Sequence, residues 1–282
     1  MPKVTKKTLN LRGNVLDLTT PVVMGILNTT PDSFYAGSRM ATVDQAVERA
    51  RVMHSEGAVF LDVGGYSTRP GAADISPGEE ADRVLPIIEA ITRAIPTVWV
   101  SVDTFRASVA RQAVEAGAVL VNDVAGGTLD ERMFETVAQL RVPYVLMHLR
   151  GTPQTMAQHT HYRDLVPDVL REIQQQLAQL RALGQADVLI DPGFGFAKTP
   201  RQNFSLLHQL EAFQTFDTPL LVGLSRKSTI WRTLNSQPEE ALNGTTVLNT
   251  LALTKGADIL RVHDVREAVE VIKLVTSCQQ AA

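Results

Sequence analysis

The sequence predicts an α/β protein, a (β/α)8 TIM barrel with an N-terminal β-hairpin that closes the bottom of the barrel. Eight short apolar runs each end in a polar residue, and each is followed by a segment that can form a helix. Apolar runs without polar alternation are typical of strands covered on both faces, as in a parallel sheet. The length of 282 residues also suits such a barrel. An open doubly wound sheet is the alternative, which eight evenly distributed units disfavour.

Each predicted strand is a run of β-favouring apolar residues with a polar side chain at its end. The runs occupy residues 22–28, 59–62, 98–103, 119–123, 144–148, 188–191, 220–225 and 259–263. Because α/β folds place their chemistry at the carboxyl ends of parallel strands, the polar residue at each end is a candidate site residue. For a single residue such as Asp191, which precedes Pro192 and Gly193, capping of the following turn is an equally good interpretation.

The segment before the first barrel strand has its own pattern. Residues 9–18 read as two short alternating strands around the turn Arg12-Gly13-Asn14, which predicts a hairpin at the amino-terminal end of the barrel. No linker rich in Gly, Ser or Pro interrupts the βα series. The sequence therefore predicts one domain over residues 1–282, with the hairpin in residues 1–20 and the barrel in residues 22–275.

The composition is that of an ordinary globular protein, with 44% hydrophobic and 20% charged residues and a formal net charge of −3. The only cysteine, Cys278, excludes an intramolecular disulfide and a cysteine-based zinc site. No apolar run approaches membrane-spanning length, and no signal-peptide core or large basic block is evident. We therefore expect a cytoplasmic protein with small-molecule ligands and no nucleic-acid or membrane partner.

Eight polar residues at the predicted strand ends would converge on one face of the barrel. They are Asn28, Asp62, Asp103, Asn122, Asp191, Lys227, Arg261 and His263. Singly, each has a structural explanation as a turn cap, a solvated charge or a hydrogen-bonded buried group. The acceptors suited to a ligand edge rich in N–H groups are Asp103, Asn122 and Asp191. The cations suited to a phosphate or another anion are Lys227, Arg261, His263 and, on the second long loop, Arg69. Together they predict a planar polar heterocycle with an anionic group as the ligand.

Five segments closely resemble the motifs of the dihydropteroate synthase family. Residues 25–34 (GILNTTPDSF) and 62–71 (DVGGYSTRPG) resemble its two signatures, and three further blocks follow in the family's order. Those blocks are residues 191–196 (DPGFGF), 225–228 (SRKS) and 261–264 (RVHD). The resemblance covers residues 22–275 and implies a folate-pathway transferase on a (β/α)8 barrel, usually a homodimer. Such an enzyme joins p-aminobenzoate to 6-hydroxymethyl-7,8-dihydropterin diphosphate and releases pyrophosphate.

The resemblance also implies a role for each matching residue. The pterin would be held by Asp103, Asn122, Met147, Asp191 and Lys227. The p-aminobenzoate would be held by Phe34, Thr68, Pro70, Phe196 and Ser228. The diphosphate would be held by Asn28, Arg69, Arg261 and His263, with Asn28 also a ligand of the cofactor Mg²⁺. The catalytic groups would be Arg69, Lys227, Arg261 and His263.

Two long loops without apolar periodicity follow the first two strands, and loops of this kind on barrels tend to be lids. They carry Phe34, Arg69 and Pro70. We expect these loops to be mobile in the free protein and to be ordered by Mg²⁺ and diphosphate. In consequence, p-aminobenzoate should bind weakly to the free enzyme and tightly once pterin and pyrophosphate are present.

The sequence departs from the commonest family pattern at four places. Ala36 stands in a loop that usually carries an acid, Tyr66 replaces a frequent Glu, Phe105-Arg106 replaces a frequent Ser-Lys, and Ala197 replaces a frequent Gly. These departures bear on loop behaviour and on the fit around p-aminobenzoate more than on the pterin pocket. Two alternative functions stay open: a pterin-binding paralogue without turnover and a pterin-dependent methyltransferase.

Overall fold

The computed structural model describes residues 7–29, 39–67 and 74–281. The described part begins with an antiparallel hairpin of β1 (Thr8–Leu11) and β2 (Asn14–Asp17). Arg12 and Gly13 both have positive φ, 54° and 94°, as a two-residue turn requires if it is to match the twist of its strands.

The hairpin buries its apolar face against the amino-terminal halves of the barrel strands. Leu9, Leu11 and Leu18 are fully buried. They pack in one cluster with barrel side chains that include Met24, Phe60, Leu120, Val145, Leu189, Leu221 and Ile259. Lys7 forms an ion pair with Asp258 that ties the hairpin to the loop before the last barrel strand. The predicted plug at the bottom of the barrel is confirmed.

Within the described ranges, eight parallel strands follow the hairpin. They are β3 (Val22–Asn28), β4 (Phe60–Gly64), β5 (Trp99–Asp103), β6 (Leu120–Asp123), β7 (Tyr144–Met147), β8 (Val188–Asp191), β9 (Leu221–Val222) and β10 (Ile259–Val262). Their hydrogen-bonded order is β8-β7-β6-β5-β4-β3-β10-β9, and a parallel bridge between Ile190 and Leu220 joins the two ends. Because the sheet closes on itself, the (β/α)8 barrel is confirmed and the open sheet is excluded.

Helices alternate with the strands and cover the outside of the barrel. They are α1 (Arg39–Ser55), α2 (Pro77–Ala94), α3 (Ala107–Glu115), α4 (Met133–Leu140), α5 (Leu165–Ala182), α6 (Pro200–His208), α7 (Ser228–Thr233), α8 (Leu242–Thr254) and α9 (Val265–Gln280). Short 3-10 helices lie at Met156–Gln158, Leu210–Phe216 and Pro238–Glu240.

Helix α2 shows how the local sequence produces these elements. Ser76 caps it by accepting from the Glu79 amide at 3.1 Å, and Pro77 occupies a first-turn position where no amide hydrogen is needed. Its buried face follows the helical spacing of Val84, Ile87, Ile88 and Ile91.

Three predicted strands were too long at their carboxyl ends, the run at residues 259–263 by the single residue His263. The run at residues 220–225 forms only the short strand β9, because Leu224 O accepts from the Lys227 amide in a turn and Arg226 takes a left-handed φ of 53°. Strand β7 ends at Met147, so His148 lies just beyond it. Apolar composition continues through both turns, which is why periodicity alone overestimated them. That the whole chain forms one domain stays a prediction.

Candidate active site

Arg261 joins three strands at the carboxyl end of the barrel. It extends from β10 and donates through Nε to Asp62 Oδ2 on β4 and through Nη2 to Asp103 Oδ2 on β5, each at 2.6 Å. Asn122 on β6 donates from Nδ2 to the same Asp62 oxygen at 2.8 Å. The structure therefore brings together four of the residues that the sequence placed at strand ends.

Burial controls the ionisation of this network. Burial raises the pKa of Asp103 to about 7, although Arg261 acts against the shift and Asp62 adds to it. Burial tends to lower the pKa of Arg261, but the carboxylates of Asp62 and Asp103 outweigh it and raise that pKa above its ordinary value. The guanidinium thus stays charged, and two carboxylates already share it before any ligand binds.

Asp191 ends β8 and lies near Lys227. Its Oδ1 accepts from the Gly193 amide at 2.7 Å, so it does cap the following turn. Burial raises the pKa of Asp191, and Lys227 opposes that shift. Conversely, burial lowers the pKa of Lys227 to about 8, and Asp191 opposes that shift. Capping and charge pairing coexist at Asp191, so the two interpretations of this residue are not exclusive.

An apolar wall borders these charges. Met147, buried at the end of β7, clusters with Val124, Ala125, Leu149, Met156 and Ala197, and with the partly buried Phe105, Leu129 and Phe196. The Lys227 Nζ donates to Phe194 O and lies 4.8 Å from the centroid of the Phe196 ring. The site can therefore receive an aromatic ring against Met147 or Phe196 while charged groups contact its edges.

The other predicted site residues lie at the same carboxyl end of the barrel or belong to parts of the chain that the structure does not describe. Asn28 is the half-buried last residue of β3, in register with Gly64 of β4. His263 follows β10, and its Nδ1 lies 3.0 Å from Ser225 Oγ. Ser228 is the first residue of α7. Predicted residues outside the described part of the chain are Phe34, Thr68, Arg69 and Pro70, together with the departure at Ala36.

Comparisons with known proteins identify the family. A family model described as "Pterin binding enzyme" matches residues 24–263. The dihydropteroate synthase of Escherichia coli strain K12 is 43% identical over 272 residues, which are 96% of each chain. The chain belongs to the dihydropteroate synthase family.

Solved dihydropteroate synthases share the fold over nearly the whole chain. The Yersinia pestis enzyme with a sulfonamide drug complex aligns with a TM-score of 0.91 and 42% identity, covering 97% of this chain and 99% of that one. The Xanthomonas albilineans enzyme in complex with 7,8-dihydropteroate aligns with a TM-score of 0.87 and 37% identity, covering 96% and 98%. The family resemblance predicted from the motifs is confirmed.

Two departures from the dihydropteroate synthase pattern contact each other. The rings of Tyr66 and Phe105 meet edge to face with centroids 5.0 Å apart. Arg106 Cζ lies 5.2 Å from the centroid of the Tyr66 ring and 5.0 Å from that of the Phe105 ring. The Tyr66 hydroxyl accepts a hydrogen bond from Gln154 Nε2. The substitutions therefore form one packed unit beside the site. A third departure, Ala197, has the left-handed φ of 49° that explains why dihydropteroate synthases commonly have glycine there.

Sequence reasoning missed three polar residues that contact one another in series behind the loop that follows β8, namely Lys198, His148 and Glu172. Lys198 Nζ contacts His148 Nδ1, and His148 Nε2 lies 3.0 Å from Glu172 Oε2 on α5. His148 ends a predicted strand, which was a usable signal, and Lys198 lies two residues after the motif at residues 191–196. Nothing in the local sequence singles out Glu172.

In the described ranges, none of the helices combines the length and apolar character that a membrane crossing requires. The cytoplasmic location stays a prediction, and so does the expectation that no nucleic acid or membrane is a partner.

Proposed function

We propose that this chain catalyses the dihydropteroate synthase reaction, a transferase step of folate biosynthesis. It condenses p-aminobenzoate with 6-hydroxymethyl-7,8-dihydropterin diphosphate and yields 7,8-dihydropteroate and pyrophosphate. The observation that carries the proposal is the 43% identity to the E. coli enzyme over 96% of both chains. The solved relative that holds 7,8-dihydropteroate supports it, because that ligand is the product of this reaction.

The pterin ring is assigned to the carboxyl ends of β5, β6 and β8. Asp191 accepts from the 2-amino group and the adjacent ring N–H, a two-point contact that suits a carboxylate. The remaining pterin contacts are Asp103, Asn122, Lys227 and Met147. The acceptor chemistry of the carboxylates, the buried ammonium and the apolar wall at Met147 support this assignment.

The diphosphate is assigned to the side of the site that carries Arg261 and His263, with Arg69 as a further cation. Arg261 is charged at neutral pH, because two carboxylates raise its pKa. A preorganised cation of this kind stabilises the negative charge that accumulates on the leaving group.

Mg²⁺ is the cofactor of this proposal, with Asn28 as its protein ligand. Among the described residues, no group of three His, Cys, Asp or Glu side chains could hold a metal ion alone. Mg²⁺ commonly keeps several waters and binds through one or two protein oxygens plus substrate phosphates. The amide oxygen of Asn28 fits that donor set. When bound, the ion would neutralise charge on the diphosphate.

The p-aminobenzoate is assigned to Phe196 and Ser228, with Phe34, Thr68 and Pro70 from the two long loops. The arylamine is neutral at pH 7, so it attacks without a strong general base. Its nitrogen forms a bond to the methylene carbon while the carbon–oxygen bond breaks and the electron pair leaves with pyrophosphate. The nitrogen then loses a proton to solvent. The chain contributes orientation of the amine and charge stabilisation by Arg69, Lys227, Arg261 and His263.

A homodimer is also part of the proposal. Val247 and Leu251 are 51% and 43% exposed and lie four residues apart on α8, so they share one face with Gly244. Leu234, 54% exposed, lies 3.2 Å from the position that a Cβ on Gly244 would take. Adjacent exposed apolar side chains suit a protein interface. Sedimentation should show a dimer that Val247→Glu with Leu251→Glu converts to a monomer, and a monomeric parent protein would contradict this.

One assay tests the reaction. The protein is incubated with the dihydropterin diphosphate and Mg²⁺, and pyrophosphate is measured with and without p-aminobenzoate. We expect release that depends on the arylamine and matches the 7,8-dihydropteroate formed. Pterin binding without any release would indicate the paralogue without turnover. Methyl transfer in a parallel incubation with a methylated pterin as donor would indicate the methyltransferase.

A further inference from the structure

The loop between Asp191 and Lys198 is held from within the protein by the buried side-chain amine of Lys198, whose pKa burial lowers to about 7. Lys198 is 8% exposed, and its Nζ lies 3.0 Å from Gly193 O, 3.1 Å from Phe196 O and 3.0 Å from His148 Nδ1. An ammonium group has three protons and no acceptor. These three partners therefore match its full donor capacity when His148 Nδ1 is an acceptor.

The surroundings of His148 favour that protonation state. Its Nε2 lies 3.0 Å from Glu172 Oε2, a carboxylate oxygen that needs a donor, so the single ring proton belongs on Nε2. Arg150 holds Glu172 in place through Nε at 3.0 Å and through Nη2. Burial and the neighbouring Lys198 lower the pKa of His148 to about 4, so the ring is neutral at pH 7. The Nδ1 lone pair is thus directed at Lys198.

The backbone carbonyl groups of this loop accept hydrogen bonds from two different lysines. Gly193 O and Phe196 O accept from Lys198, whereas Phe194 O accepts from Lys227, which belongs to the proposed pterin site. A Cβ on Gly193 would lie 3.3 Å from Lys198 Nζ. Gly193 O also accepts from the Phe196 amide at 3.2 Å, so loss of Lys198 removes the side-chain donor of Phe196 O above all. A buried carbonyl group without a donor is costly, so this backbone should then rearrange.

We propose that Lys198, with His148 as its acceptor, is a positioning residue that fixes the loop carrying Phe196 and thereby sets the affinity for p-aminobenzoate. The identity of that ligand rests on the proposed function. Lys198 acts through the backbone, since its donors are engaged inside the protein. The pterin contacts depend less on it, because Asp103 and Asn122 belong to other strands and Asp191 is held by β8 and by the Gly193 amide.

A matched pair of substitutions at His148 separates this role from general packing. In His148→Asn the amide oxygen can replace Nδ1 as the acceptor for Lys198, but the contact with Glu172 is lost. In His148→Gln the longer side chain reaches towards Glu172 and leaves Lys198 without that acceptor. If Lys198 positions the loop, His148→Asn retains the parent KM for p-aminobenzoate, and both His148→Gln and Lys198→Met raise it on the order of tenfold. Pterin affinity changes less than about threefold in the two His148 variants, which keep the Lys198 charge that acts on Asp191.

Hydrogen exchange of the ligand-free proteins supplies a readout that needs no substrate. The amides of residues 194–197 should exchange faster in Lys198→Met and His148→Gln than in His148→Asn and the parent protein. Equal exchange in the two His148 variants, or a KM for p-aminobenzoate that does not separate them, would overturn the proposal. If the parent protein lacks the proposed activity, that function fails, while the exchange comparison still decides the role of Lys198.

Discussion

Asp103 Oδ2 accepts from Arg261 Nη2 at 2.6 Å across 158 positions of sequence. The residue assigned to the pterin and the residue assigned to the diphosphate are therefore paired with each other in the structure. A diphosphate must compete with this carboxylate for Arg261, and the second partner, Asp62, keeps the guanidinium in place.

Asp103→Asn should change the two ligands in opposite directions. Above the Asp103 pKa of about 7, this substitution removes a negative charge and leaves Arg261 less neutralised. At about pH 8 pyrophosphate should therefore bind more tightly by about 3- to 10-fold. A pterin without diphosphate should bind more weakly, because an acceptor is lost. Calorimetric titration of each ligand checks this. A parallel change for both ligands would contradict the separate assignments.

Asp191→Asn should preserve the fold and abolish useful pterin binding. The amide oxygen can still accept from the Gly193 amide, which keeps the turn cap. Its NH2 group would face a ligand donor, which should cost about 2–4 kcal/mol of binding free energy. Thermal unfolding and pterin titration are measured together. A loss of stability with unchanged affinity would leave Asp191 as a cap only.

Asn28→Ala should raise the Mg²⁺ concentration needed for pyrophosphate release. Because one protein oxygen is removed from a site completed by diphosphate and water, the ion is held less tightly. The check is pyrophosphate release as a function of added Mg²⁺. Binding of a pterin without diphosphate should be unchanged and serves as the control. Turnover in the presence of a chelator would refute a role for the metal.

Pterin affinity should fall as the pH rises through about 8, where the buried Lys227 loses its proton. The stability effect has the opposite direction. The pKa of Lys227 is lowered from 10.5 in the unfolded chain to about 8 in the folded protein. Between these two pH values the unfolded state therefore binds more protons than the folded state. As the pH rises through this range, Lys227 favours the folded state increasingly. The same titration of Lys227→Arg, which stays charged, should show no fall near pH 8.

Arg106→Met should destabilise the fold by about 3–5 kcal/mol, because it leaves the carboxylate of Glu80 buried without its cation. Arg106 Nη1 donates to Glu80 Oε2 at 2.5 Å, and the Glu80 side chain is 0% exposed. Burial raises the pKa of Glu80. Chemical denaturation gives the free energy of unfolding. Arg106→Met with Glu80→Gln should recover much of the loss, and a double variant as unstable as the single one would mean that packing, not charge, is decisive.

The barrel, the hairpin plug and the family could all be predicted from the order of the amino acids. The end of a strand can be recognised from neighbouring residues alone, because an apolar run, a polar residue and a turn signal such as the one at Asp191 are short-range features. Parallel strands in a barrel share one carboxyl end, so the convergence of Asp103, Asn122 and Arg261 followed from the fold class.

The pairing of those side chains becomes visible only in the folded protein. Asp62 and Arg261 are 199 positions apart, and neither periodicity nor composition says which carboxylate orients the guanidinium. The three acceptors of Lys198 likewise come from a loop and from His148, fifty positions away. Hydrogen bonds of this kind depend on distances between distant segments, and the pKa shifts depend on how much water those segments exclude, which no local stretch of sequence encodes.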